Sequence, residues 1–214
     1  MAAALTTIAA DAVSEISDRL EKFGFERRQA AGIFTMELAD GVLAWLGLNR
    51  ASKRLGGDAV EFNPVVGVRH QEVERIVSEL RGEKFHRFVP PTVSQPIGYV
   101  MPEQRYVAWL FERASIVVRA DDLASAVEAH ALPVLRPLVD LAAVLRAADE
   151  RWGFAHQLVY RRPVIRWLLG DEAEALAALD AALDDLGDRS DAAAVELRSF
   201  GSAFRAWASR GGWS

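Results

Sequence analysis

Cysteine is missing from all 214 residues, which rules out disulfides, thiolate nucleophiles and cysteine-bound zinc. The absence fits a reducing compartment, and a cytoplasmic protein is the expectation. No window reaches the roughly 18 uncharged apolar residues that a membrane-spanning helix needs. The opening MAAALTTIAADAVSEISDRL has no basic n-region and carries Asp11 and Glu15 inside its apolar stretch, unlike a signal peptide. A clustered positive field is lacking too. The net charge is −5, so nucleic acid is not an expected partner. Lysine occurs only at positions 22, 53 and 84, the other basic residues being arginine.

Catalytic signatures are equally scarce. The histidines are His70, His86, His130 and His156, none in a His-Glu-x-x-His pair, and their spacing converges on no zinc site. There is no Gly-x-Ser-x-Gly elbow. Gly56-Gly57 lacks the glycine-lysine ending of a phosphate loop. No metal and no cofactor is expected.

What is present is pattern. Ile8, Ala12, Ile16 and Leu20 recur at helical spacing, with Gly24 as a C-terminal stop. Phe34, Met36 and Leu38 alternate with Thr35 and Glu37, which predicts a half-buried strand. Asp40-Gly41 predicts a hairpin turn into a strand over 42–49. AVEFNPVVGV predicts a third strand, and Pro64 within it predicts an edge or a bulge. HQEVERIVSEL predicts a helix with Val73, Ile76, Val77 and Leu80 inward and Glu72, Glu74, Arg75 and Glu79 outward. RYVAWLFE reads as a fourth strand, with the β-branched 115–119 as an extension of the sheet. From Asp121 onward alanine and leucine dominate, and helices are expected over about 121–131, 133–150, on both sides of Gly170-Asp171, and 192–209. The expected fold is therefore α+β: an antiparallel meander of four to five strands over residues 1–120, packed by helices, with an all-helical extension over 121–214 sharing its core.

Three stretches stand out as candidate sites. PPTVSQPIGYVMP holds four prolines, so it should be stiff and extended. Its Ile97, Tyr99, Val100 and Met101 either pin a strap onto the domain or, for Tyr99 and Met101, face a partner. YRRPVIRWLLGDEAEALAALDAALDDL resembles a single tetratricopeptide helical hairpin, present once and without a neighbouring copy. Its acids, chiefly Asp180, Asp184, Asp185 and Asp188, form either a solvated face or a docking surface for a basic partner protein. Two basic clusters could hold an anion: Arg50, Lys53 and Arg54 on a turn, and Arg161, Arg162 and Arg166 on a helix.

The order of these elements, from Lys-Phe-Gly-Phe through Pro-Ile-Gly-Tyr-Val-Met-Pro to Leu-Pro-x-Leu, is similar to that of bacterial α+β domains of unknown function. Some of those lie near toxin–immunity or phage-defence loci. The resemblance implies a small protein-binding module and offers no catalytic residues to carry over. A non-enzymatic module that binds another protein, or a second copy of itself through its tryptophan-rich surface, is thus the first expectation. The alternative is a small-molecule binder or hydrolase with a pocket between sheet and helices, using His70, Glu72 and Arg50.

Overall fold

The structure, a computed structural model, describes residues 2–51 and 59–211. Lys53 and Arg54 of the first basic cluster, and Trp213, lie outside them. The fold is α+β, with an antiparallel sheet and helices that dominate the C-terminal part. Two compact units form, each built from two stretches of chain: Met1–Arg69 with Ser94–Val139, and His70–Val93 with Asp140–Ser214.

The first unit carries the sheet. After α1 (Ala2–Leu20) come β1 (Glu26–Arg28), β2 (Ile33–Ala39), β3 (Val42–Arg50) and β4 (Ala59–His70), and they lie side by side in that order. The hairpin at Asp40-Gly41 forms as the sequence predicts. Gly41 takes φ +71°, a value cheap only for glycine, and the β2–β3 register slips by one residue between Glu37 and Ala39. Val60, Phe62, Pro64 and Val66 are buried and alternate with half-exposed neighbours, as the period of two requires.

For Pro64 the edge alternative is corrected. Its strand is neither terminal nor at the margin, because β5 (Val93–Pro96) follows β4 in the sheet and β6 (Trp109–Glu112) also pairs with β4. The β6 ladder runs only from Ala59 to Phe62, so it ends before a donor would be asked of Pro64.

The stretch 115–119 is not a strand. Ile116 opens helix α3 (Ile116–Ala126), leaving Val117 and Val118 exposed. The helical path then continues through a wide π turn, α4 (Leu132–Leu135) and a 3-10 turn to Val139. Leu132 N–H reaches back five residues to Val127 C=O. That wider turn accommodates Pro133, whose ring would crowd an α-helical carbonyl and which has no N–H to give. Asp121 accordingly caps nothing; it sits inside α3 and pairs with Arg19 of α1. Ile8, Ala12, Ile16 and Leu20 are all fully buried, and α1 packs on α3.

The second unit is helical: α2 (Gln71–Leu80), α5 (Leu141–Asp149), α6 (Ala155–Leu168), α7 (Glu172–Asp184) and α8 (Ala192–Ala208). Val73, Ile76 and Val77 of α2 are buried as expected, and so, against expectation, is Glu74. It receives two hydrogen bonds from Arg161 of α6, at 2.7 and 3.1 Å. Between α6 and α8 runs a column of rings, with Tyr160 edge-on to Phe200 at 5.0 Å and Trp167 against Phe204 and Trp207. Trp207 is buried, and Trp152 and Trp167 are half-buried, so among the described residues these tryptophans offer no broad apolar exterior.

Candidate functional site

The α6–α7 hairpin is where the polar residues gather. Helices α5 and α6 end on the same backbone device. At the end of α5, Trp152 N–H bonds Ala147 C=O and Arg151 N–H bonds Ala148 C=O, with Arg151 at φ +67°. At the end of α6, Asp171 N–H bonds Arg166 C=O and Gly170 N–H bonds Trp167 C=O, with Gly170 at φ +84°. Each is a left-handed stop that satisfies two terminal carbonyls. The hairpin expected from the sequence is therefore real.

Three helical stripes enclose a half-open cleft of about 530 Å³. Helix α6 contributes His156, Val159, Tyr160 and Pro163, residues at i, i+3, i+4 and i+7, with Arg162 and Arg166 on their flank. Helix α7 offers Ala178, Ala181 and Ala182, with Asp185 at its C-terminal cap continuing the same spacing, and α8 adds Ala193 and Leu197. The alanines carry too little volume to fill the space between neighbouring helices, so a hollow remains. On the far side of α7, Leu179 and Leu183 approach Gly201 of α8, where a larger residue would push the helices apart. Pro163 has no N–H for Val159 C=O, which loses its usual helical donor beside the cleft.

Charge is unevenly met here. Arg189 makes two hydrogen bonds to Asp191, at 2.9 and 3.1 Å, which hold the carboxyl below its ordinary range and the guanidinium above its own. Arg162 gives one N–H to Ala148 C=O at 2.6 Å. Its Nε lies 3.2 Å from Asp149 Oδ1, close enough for an ion pair, yet the N–H misses the carboxylate and this buried donor has no acceptor. Arg166 meets Asp149 only at 3.9 Å, too far for a hydrogen bond. One carboxylate thus faces two guanidiniums, and both keep donors in reserve. At the mouth, His156 stacks on Phe154, with centroids 5.6 Å apart and planes inclined by 25°. Burial pushes the Tyr160 phenol up.

The other sequence candidates fall elsewhere. His70 is buried at the start of α2, where its backbone N–H bonds Thr92 Oγ1 at 3.0 Å. Glu72 is exposed in the first turn of that helix, and Arg50 is exposed at the end of β3 in the other unit. Tyr99 is 47% exposed and Met101 half-buried, while Ile97 is fully buried. Of the acids, Asp180 pairs with Arg205, Asp184 and Asp188 are exposed, and Asp185 enters the cleft. The second basic cluster divides: Arg161 is consumed by Glu74, whereas Arg162 and Arg166 face the cleft. Asp149, His156 and Arg189 were not singled out as site residues from the sequence. The available signal was the alanine stripe in register with an Arg-x-x-x-Arg pair. No protein-family model, curated protein or solved structure matches the chain.

Proposed function

We propose that this chain is a small-molecule-binding protein whose α6–α7–α8 cleft holds an oxyanion, either carboxylate or phosphate. The observation that carries this reading is the pair Arg162 and Arg166 on the cleft wall, which share the carboxylate of Asp149 at 3.2 and 3.9 Å. Two guanidiniums facing one carboxylate keep donors to spare, and an anionic oxygen in the cleft would take them up through charge-assisted bonds. The concave, mostly apolar lining with a few polar groups is the usual composition of a ligand site.

Inorganic phosphate is the direct probe. Its binding should raise the melting temperature in proportion to the logarithm of its concentration, and Arg166→Met should weaken it by about tenfold, the worth of one charged hydrogen bond. Equal stabilisation of wild type and Arg166→Met by phosphate would remove the cleft from consideration.

A second reading, a protein partner for the first unit, draws on the exposed Tyr99, Tyr106 and Leu110. The acidic run supports that reading less, since Asp180 and Asp191 already hold arginines.

A further inference from the structure

We propose that the anion taken by the cleft is a planar aromatic one, its ring seated on the Phe154–His156 pair and its oxyanion on Arg162 and Arg166; this rests on the oxyanion reading above. A phosphate or acetate alone would leave most of about 530 Å³ to water against Val159, Pro163 and Leu186. An apolar body fills that space at a gain proportional to the area covered.

Phe154 indicates what kind of body. It stands at the N-cap of α6, where a short polar side chain would bond a free N–H, yet its side chain makes no cap bond. Nor does it serve a core, being 65% exposed. What its ring does is stack on His156, which lines the cleft. A second planar ring laid on the imidazole extends that stack, an arrangement favoured beyond simple area burial. Arg162 lies six residues beyond His156, about 9 Å along the axis and on the flank of the same stripe, and its long side chain leans back toward the helix start.

Titration calorimetry with 2-naphthoate, acetate and the neutral naphthalen-2-ylmethanol tests this. 2-Naphthoate should bind at least about tenfold tighter than either of the others. Phe154→Ala, at an exposed site that the fold does not need, should weaken 2-naphthoate by about three- to tenfold and leave acetate and phosphate unchanged; Arg166→Met should weaken all three anions. A naphthoate no tighter than acetate, or one indifferent to Phe154→Ala, overturns the aromatic inference while the oxyanion reading stands. The neutral alcohol matching naphthoate, or no binding by any probe, overturns both.

Discussion

Glu74 and Arg161 are among the most deeply enclosed charges of the helical unit, with side chains 3% and 4% exposed. Arg161 spends Nε and one terminal nitrogen on Glu74 and the other on Gln157 Oε1 at 2.8 Å. Nearby, the Arg81 guanidinium lies over the Tyr160 ring at 4.3 Å and bonds Glu196 of α8, which ties α2 to α6 and α8. Breaking a buried pair strands the surviving charge, so Glu74→Gln should cost about 3–5 kcal/mol in urea unfolding. The double variant Glu74→Leu with Arg161→Met should lose less than that single change, because no charge is then left in the interior. A Glu74→Gln penalty under about 1 kcal/mol would mean that water reaches the pair. The helical period alone put Glu74 on the outer face: a wheel drawn for one helix treats every polar residue as solvated and cannot register a guanidinium arriving from a segment 87 residues away.

The proline-rich connector divides its work between neighbouring residues. Val93–Pro96 joins the sheet as β5, and a 3-10 turn over Ile97–Tyr99 follows. Ile97 is the anchor, fully buried, while Tyr99 stays half in solvent. Ile97→Ala should therefore cost about 2–5 kcal/mol, whereas Tyr99→Ala should stay within about 1 kcal/mol by the same measurement. The reverse order would make the tyrosine the strap's contact. Gly98 allows the close crossing, since a Cβ there would collide with Arg105 C=O. At the end of α5 the left-handed stop is made by arginine. Arg151→Gly, at φ +67°, should raise stability by up to about 1 kcal/mol; a loss would mean that the Arg151 side chain contributes more than its backbone strain costs. The elements governed by local rules were legible, among them the Asp-Gly hairpin, α2 and the helices around Gly170. Residues 116–118 were not. Their β-branched side chains favour strand on propensity, and the packing of α3 on α1 overrides it.

For the molecule as a whole, the α+β class followed from where β-type runs give way to alanine and leucine, and the binding cleft did not. Its lining comes from the end of α5, most of α6, the C-terminal half of α7, the 185–189 turn and the start of α8, a convergence that no single window displays. Acid stability also follows from surface pairs in both units. Hydrogen bonds from Arg19 lower the Asp121 carboxyl in the first unit, and those from Arg189 and the Ala194 N–H lower Asp191 in the second. Both ionise below their ordinary value of 3.8 when folded. Near and below that pH the unfolded chain therefore binds more protons than the folded one, and stability falls as the solution is acidified. The contribution is complete above 3.8 and disappears once the pH drops through the folded values. Replacing both with asparagine keeps an acceptor for the Ala194 N–H and removes the titration. The urea midpoint of the Asp121→Asn/Asp191→Asn variant should start lower at neutral pH and decline less than that of wild type between about pH 5 and pH 3. Parallel declines would show that other carboxyls govern acid unfolding and that these two ion pairs contribute nothing measurable.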